Sequence, residues 1–279
     1  MVDGLVGSEM CIRDSPGVYQ VTLHDAIAGK FIQPDSFWYY SLYRDSNLLW
    51  LAGFELIGYD LENDKIKHRV MHPPGTGPAW SMLRTSTGHL LTGTQNGVFY
   101  SPEKDRQPVP ITGNDSMFNI FIYQLVEKSK DEIWAVTNSG IYALKNHENA
   151  DSIVILRRYR KKGEGNFRLP SQSFHHIHFD KRDENIIWLA TNGDGLIKWN
   201  FATGETRQFT RSDGLSSNVL YAILEDDNGQ LWISSNYGLM RFSTKTGAIK
   251  TYTEKDGITH HEFNRISYFQ AKDGRMYFG

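Results

Sequence analysis

Five histidines are the residues whose type and spacing come closest to a metal site. They are His175, His176, His178, His260 and His261. On a β-strand His176 and His178 would share one face, and imidazole is a common zinc ligand. No aspartate or glutamate ligand pattern accompanies them, so we expect neither a metal nor a cofactor. We interpret them as part-buried or loop histidines, with a ligand-contacting or pH-sensitive role as the alternative.

Two further patterns point to chemistry and have simpler explanations. Asp227, Gly229 and Trp232 resemble the Asp-box turn of sialidase propellers, but Asp-Asn-Gly is also an ordinary turn sequence. The basic run at 157–162 could bind an acidic polysaccharide, although a charged, solvated edge strand explains it better. No Ser-His-Asp arrangement, phosphate loop or cysteine pair occurs at a recognisable spacing. We therefore expect no catalytic residues, and a propeller glycosidase or lyase is the alternative.

Composition excludes several functional classes. The formal net charge is −2, unlike the basic balance of nucleic-acid-binding domains, and no apolar run approaches the roughly 18 residues of a membrane helix. Residues 1–15 resemble the translation of a sequencing adapter, so we expect this segment to be disordered and exclude it from the fold. Cys11, the only cysteine of the chain, lies within it. The remaining residues therefore have no disulfide, thiolate metal site or cysteine nucleophile.

A repeated strand–turn–strand pattern organises the rest of the chain. Each copy has an anchor residue, and successive anchors are 41 to 54 residues apart. The anchors are Trp50, Leu91, Trp134, Trp188, Trp232 and Tyr277. A period of this length built from short strands is typical of propellers, whereas helical solenoids would need long stretches of 3.6-residue periodicity.

We therefore predict an all-β fold, a β-propeller of four-stranded blades. The clearest unit has an apolar first strand, an Asn-Gly turn at 228–229, two further strands and a half-exposed outer strand. The predicted blades cover residues 36–75, 79–112, 119–165, 170–212, 215–256 and a truncated 260–279. Because both ends of the sequence read as cut, we expect an open, incomplete propeller of about five to six blades, with marginal stability.

The units at 170–279 resemble a known family. Residues 215–239, from Leu-Ser-Ser-Asn through Asp-Asn-Gly-Gln-Leu-Trp-Ile to Tyr-Gly-Leu, resemble the two-component regulator propeller repeat. Residues 252–265 are similar to the same family, and the match is fainter over 36–145. The resemblance implies the periplasmic sensor region of an inner-membrane hybrid histidine kinase, whose phosphorelay responds to carbohydrate breakdown. It implies an oligosaccharide ligand and no enzyme activity in these residues, because the kinase domain is not among them.

Two sets of loops are expected on one face of the propeller: those that precede each first strand and those that join second to third strands. They are rich in polar residues with a few aromatic ones, the mixture that sugar recognition needs. The candidate ligand-binding residues are Asn138, Asn192, Asp194, Ser217, Asn218, Asn236, Tyr237, His260, His261 and Arg265. Turn propensity is the alternative explanation for each of them. Arg265 would pair with a uronate or sulfate, or else with Glu262.

The expected partners are an oligosaccharide and the rest of the same receptor chain, with a homodimer of the intact protein. Nucleic acid is not expected as a partner of these residues. A scaffold propeller that binds only proteins is a third hypothesis, and it predicts an exposed apolar patch. A glycosidase predicts carboxylates that converge on one face.

Overall fold

The computed structural model describes residues 18–21, 29–32, 39–101, 109–110, 119–145, 154–162, 168–271 and 273–279. The predicted adapter-derived segment 1–15 lies outside them. The described residues fold mainly as strands, with three-residue 3-10 turns at Arg211–Asp213 and Glu254–Asp256. No helix among them has the length and apolarity that crossing a membrane requires. The chain forms two compact units, made up mainly of residues 31–158 and 159–279.

The first unit contains three four-stranded antiparallel sheets, each with its strands paired in chain order. A separate pair near the start of the chain is β1 (Val18–Val21) with β2 (Gly29–Ile32). The first sheet contains β3 (Tyr39–Asp45), β4 (Leu48–Gly53), β5 (Glu55–Asp60) and β6 (Lys65–Met71). The second contains β7 (Ala79–Arg84), β8 (Leu90–Thr94), β9 (Gly97–Ser101) and β10 (Val109–Pro110). The third contains β11 (Ile122–Ser129), β12 (Glu132–Thr137), β13 (Gly140–Lys145) and β14 (Val154–Tyr159).

The second unit repeats this arrangement in two further sheets. The fourth sheet contains β15 (Phe174–Phe179), β16 (Ile186–Thr191), β17 (Leu196–Asn200) and β18 (Thr206–Phe209). The fifth contains β19 (Leu220–Glu225), β20 (Gln230–Ser235), β21 (Leu239–Ser243) and β22 (Ile249–Tyr252). A two-stranded sheet follows, β23 (Tyr268–Gln270) with β24 (Met276–Phe278). Repetition of sheets with four consecutive antiparallel strands is typical of propellers, and the predicted all-β propeller is confirmed, so we number the five sheets as blades.

The hydrophobic core of the second unit lies between blades four and five. It is a cluster of buried aliphatic and aromatic side chains that come from both sheets. The ring of Trp188 lies 5.4 Å from that of Phe242, and Phe209 lies 4.9 Å from the same ring. One four-stranded sheet cannot bury both of its faces by itself, so packing against the neighbouring blade supplies much of its stability.

The predicted tryptophan anchors occupy equivalent positions. Trp50, Trp134, Trp188 and Trp232 are each the third residue of the second strand of their blade. The indole Nε1 of Trp188 donates to Asp180 Oδ2 at 3.0 Å, at the turn between the first two strands of blade four. Trp232 makes the equivalent 3.0 Å bond to Asp226 in blade five. Each indole therefore fills an inter-blade space with its ring and fastens a hairpin turn with its nitrogen.

The tryptophan anchors differ in how deeply they are buried. Trp134 and Trp188 are 0% and 1% exposed, whereas Trp232 is only half-buried. Trp232 stacks on Tyr252 at 5.4 Å, and the sheet that follows its blade has two strands. A two-stranded sheet covers less of the facing blade than a four-stranded one, which explains the difference.

Candidate ligand-binding loops

A hydroxyl group at the end of each second strand shapes the loops that lead to the third strand. In blade four, Thr191 Oγ1 donates to the Gly195 carbonyl at 2.7 Å and accepts from the Asp194 amide at 2.9 Å. Gly195 has φ +78°, and a Cβ there would overlap the Phe209 carbonyl oxygen, so only glycine fits. The equivalent hydroxyls in blades two, three and five belong to Thr94, Thr137 and Ser235. These loops are therefore held by a repeated hydrogen-bond pair.

Sequence reasoning missed this hydroxyl, although the signal was present. A threonine or serine stands three or four residues before the glycine that begins or directly precedes the third strand in each of these copies. Because the hydroxyl and the glycine recur together, the sequence predicts that these residues hold the loop conformation in each blade, whether or not a ligand binds there.

Asn218 connects blades four and five. Its carbonyl accepts the amide hydrogens of Gly193 at 3.1 Å and Gly195 at 2.9 Å, and its Oδ1 accepts the Arg211 amide at 2.8 Å. Asp194 is held by the loop that precedes β15, since its Oδ2 accepts the Ser171 hydroxyl at 2.7 Å. Asn218 and Asp194 therefore hold neighbouring loops together through these bonds.

Ser217 and Asn236 join the two loop sets within blade five. The buried Ser217 hydroxyl donates to Asn236 Oδ1 at 2.5 Å and accepts the Val219 amide at 2.9 Å. Asn192 is exposed on the equivalent loop of blade four, where its amide bonds to the Ser173 carbonyl at 3.0 Å. The predicted association of the two loop sets is therefore present in this unit.

Tyr237 and His261 form the exposed part of this face. Tyr237 is 53% exposed, and its ring is tilted over that of His261 at a centroid distance of 5.4 Å. His261 Nδ1 lies 3.3 Å from Glu254 Oε1, and Ser216 Oγ donates to the Tyr237 carbonyl at 2.5 Å. The pair presents an aromatic surface on loops whose backbones are fixed.

His260 and Arg265 are exposed on the same segment. Burial, together with the positive charge of Arg265, lowers the pKa of His175 to about 4, while a hydrogen bond to the Leu220 carbonyl opposes the shift. Burial also raises the pKa of Tyr221, with Glu262 acting in the same direction and Arg265 against it. Arg265 therefore acts electrostatically on the first strands of blades four and five. The remaining candidate, Asn138, lies in the first unit, where its Oδ1 accepts the Phe121 amide at 3.1 Å.

The histidines of β15 form inter-blade contacts. His178 Nε2 lies 2.8 Å from Glu225 Oε2, and the His176 ring makes an edge contact with Tyr268 at 4.6 Å. Burial lowers the pKa of His176 to about 3, with the charge of His178 acting the same way. In the part of the chain that the structure describes, no three histidine, cysteine or acidic side chains are placed to hold a metal ion.

Glu225 is a buried carboxylate that sequence reasoning did not identify. It is 1% exposed, and its Oε2 also accepts the Lys181 amide at 3.1 Å. Arg182 Nη2 lies 3.4 Å from Oε1, and the Lys181 ammonium donates to the Glu225 carbonyl at 2.8 Å. Glu225 therefore holds the ends of the first strands of blades four and five together.

A shallow cleft of about 390 Å³ lies near Glu225, at the end of the first strands that is opposite to the candidate loops. The hairpin turns of blade five and of the two-stranded sheet meet there. Lys181, Asp227, Gln270 and Asp273 line it. Hydrogen bonds from Arg275 lower the pKa of Asp273. A general acid in glycoside hydrolysis needs a raised pKa, so Asp273 does not match that role.

The basic run lies on the fourth strand of blade three and just beyond it. Arg158 lies over the ring of Tyr142 at 5.3 Å, and Tyr159, 1% exposed, packs on Trp199 at 4.9 Å. A fourth strand is the outer edge of its blade, which fits the edge-strand interpretation of these charges.

Comparison with known proteins supports the resemblance seen in the sequence. Residues 214–237, which contain Ser217 and Asn236, match the two component regulator propeller family. This chain carries a two-component regulator propeller repeat. The matched segment runs through the first and second strands of blade five and both of its candidate loops. No curated protein sequence matches the chain.

Solved structures share the fold of the chain at low sequence identity. The extracellular domain of the putative hybrid two component system BT3049 from B. thetaiotaomicron is 19% identical, with a TM-score of 0.69 over 86% of this chain. The match covers 31% of that domain, so the chain spans less than a third of its length. The WD40 β-propeller domain of Doa1 is 14% identical, with a TM-score of 0.70 over 96% of this chain and 84% of that domain. Virginiamycin B lyase from Staphylococcus aureus is 14% identical, with a TM-score of 0.68 over 96% of this chain and 85% of the lyase.

Proposed function

We propose that this chain is a ligand-sensing propeller module of a two-component receptor, located outside the cytoplasm, and that its ligand is an oligosaccharide. The observation that carries the proposal is the face of blades four and five, where exposed Tyr237 and His261 stand on hydrogen-bonded loops. The propeller repeat at 214–237 includes the loop that carries Tyr237. In the intact receptor a histidine kinase and its phosphorelay would respond to the ligand.

The hydrogen bonds divide the candidate residues into two groups. Ser217, Asn218 and Asp194 hold the loops, because their side chains already bond to neighbouring loop groups. Tyr237 and Arg265 are exposed and offer a ring for an apolar sugar face and a cation for a carboxylate or sulfate. His260, His261 and Asn192 complete the exposed group. Asn236 is exposed as well, but its Oδ1 already accepts the Ser217 hydroxyl, so it belongs with the residues that hold the loops.

The hydrogen bonds within these loops favour a binding surface that is already formed before the ligand arrives. A ligand that meets a preformed surface does not have to bear the entropic cost of fixing those loops. Catalysis would require positioned acid and base groups, and we propose a non-catalytic role for the loop face. The lyase that shares the fold makes substrate turnover the outcome to be tested against binding.

The test is calorimetric titration of the chain with defined neutral and uronate-containing oligosaccharides. We expect saturable binding without release of reducing ends. Tyr237→Ala is expected to weaken binding about ten-fold, since it removes the exposed ring. Phe269→Ala is the matched control, because Phe269 is an equally exposed aromatic residue, 54% exposed, on the strand β23. Equal loss in both variants, no binding to any oligosaccharide, or turnover would overturn the proposal.

A further inference from the structure

We propose a second binding surface, on the outer strands of blades four and five, that binds an acidic polysaccharide through Lys198, Arg207, Arg241 and Lys250. These four side chains are called the cation rows below. They lie on the third and fourth strands, away from the loops of the proposed ligand face. The proposal therefore stands independently of the proposed function.

Strand register places the cations in two directly opposed pairs. Lys198 on β17 is the partner of Arg207 on β18, and Arg241 on β21 is the partner of Lys250 on β22. Opposed residues of an antiparallel pair have Cβ atoms about 4.5–5.5 Å apart, and like charges there are destabilising. The same unfavourable arrangement occurs in two successive blades.

The two pairs occupy equivalent positions. Lys198 is the register partner of Trp188, and Arg241 is the register partner of Trp232, the anchor one blade further on. Protection of an exposed edge would explain cations on the outermost strands β18 and β22. It does not explain Lys198 and Arg241, because their strands are paired on both sides.

Aromatic rings hold each cation in place. Lys198 Nζ lies 5.6 Å from the ring centre of Trp188, and Lys250 Nζ lies 4.5 Å from that of Tyr252. Arg207 lies over Phe209 at 4.5 Å, and Arg241 over Trp232 at 6.0 Å. Cation–π contact orients a charge without neutralising it.

The positive charges of the cation rows have no acidic partner among the residues that the structure describes. Lys198 is half-exposed and the other three are exposed. Oriented, exposed and unneutralised cations in opposed pairs form a site for anionic groups.

The spacing fits a polymer with repeated anionic groups. Two opposed cations can share one carboxylate or sulfate. The pairs lie on faces of adjacent blades, and packed sheets are about 10 Å apart, so a second anionic group is needed to reach the second pair. An anionic polysaccharide supplies such groups along one chain.

Other polyanions fit less well. Membrane association would need exposed large apolar side chains beside the cations, and none of the exposed ones in the described residues lies on β17, β18, β21 or β22. Nucleic-acid binding would need a basic overall balance and open rings for base stacking. The net charge of −2 and the placement of the rings beneath the cations oppose both requirements.

The test is biolayer interferometry of the 279-residue chain against immobilised polygalacturonate and dextran sulfate, with neutral dextran as the blank. The double variants Lys198→Gln/Arg207→Gln and Arg241→Gln/Lys250→Gln are each expected to weaken binding at least about five-fold. Their melting temperatures should be unchanged or higher, because each removes a like-charge pair. Binding should also weaken as salt is raised. Preference for one polymer would identify the carboxylate or the sulfate as the recognised group.

Arg211→Gln/Lys255→Gln is the matched control. It also removes two positive charges, but from exposed residues of the 3-10 turns that are not part of the cation rows. Glu205→Gln should tighten binding, because Glu205 lies two residues before Arg207 and is exposed. Equal weakening by the control, no binding to either polymer, or tighter binding to single-stranded DNA or to phosphatidylglycerol vesicles would overturn the inference. If the variants of the cation rows still bind oligosaccharide in the calorimetric titration, this surface is distinct from the loop face.

Discussion

The Nε2 atom of His178 lies 2.8 Å from Oε2 of Glu225, a contact between the first strands of two successive blades. Burial lowers the pKa of His178, and this effect outweighs the opposing influence of the carboxylate. Nε2 of this imidazole is placed to donate a hydrogen bond to the carboxylate of Glu225. A buried carboxylate of this kind depends on every donor around it.

Replacement of Glu225 should destabilise the second unit strongly. Glu225→Ala leaves His178 and the Lys181 amide without their acceptor, at a cost of about 3 kcal/mol in the free energy of unfolding. Urea denaturation followed by tryptophan fluorescence measures it. Glu254→Ala is the control, because that carboxylate is 56% exposed and its contact with His261 should contribute less than about 1 kcal/mol. Equal effects of the two substitutions would contradict the structural role of Glu225.

Stability should fall between pH 6.5 and pH 4. Burial lowers the pKa of His175 to about 4 from its usual value near 6.5, so the unfolded chain binds a proton in this interval that the folded chain does not. The contribution is fully present above pH 6.5 and is lost as the pH falls, with a slope of at most about 1.4 kcal/mol per pH unit for one histidine.

The slope of unfolding free energy against pH separates this effect from packing. His175→Gln should reduce the slope whatever it does to the stability at pH 7, since glutamine does not titrate. His260→Gln, at an exposed position, should leave the slope unchanged. A wild-type slope retained by His175→Gln would show that other groups cause the acid sensitivity.

The periodic features of the fold were predictable, whereas the inter-blade polar contacts were not. Tryptophan and turn residues recur at blade spacing, so Trp188 and Trp232 could be placed on second strands from the sequence. Glu225 has a counterpart in Glu127 of blade three, whose carboxylate accepts the Ser86 amide, but the equivalent residue of blade four is Phe179, so no regular repeat marks the position. Asn218 was predicted as a ligand contact by polarity, but its hydrogen-bond partners come from another blade and a local turn. Such partners depend on packing that no local pattern records.

The tryptophan anchors should differ in their contribution to stability. Trp188→Ala empties a fully buried site between two four-stranded blades and should cost about 3–5 kcal/mol. Trp232→Ala should cost about half as much, because its ring is partly in contact with water already. Chemical denaturation of both variants gives the comparison. Losses of the same size would mean that Trp232 is covered as completely as Trp188.

The loop hydroxyls should be measurable through Thr191. Thr191→Val keeps the shape and the β-branched side chain but removes the donor to Gly195 and the acceptor for Asp194. Both loop groups lose a partner near a buried position, so we expect a loss of about 1–3 kcal/mol and faster amide exchange at Asp194. Thr206→Val is the matched control, since Thr206 is exposed on β18 and the same substitution there should change stability by less than about 0.5 kcal/mol. Unchanged exchange at Asp194 in the Thr191 variant would show that the loop is held by other contacts. A loss confined to Thr191→Val, together with faster exchange at Asp194, would establish the hydroxyl as a support of the loop face.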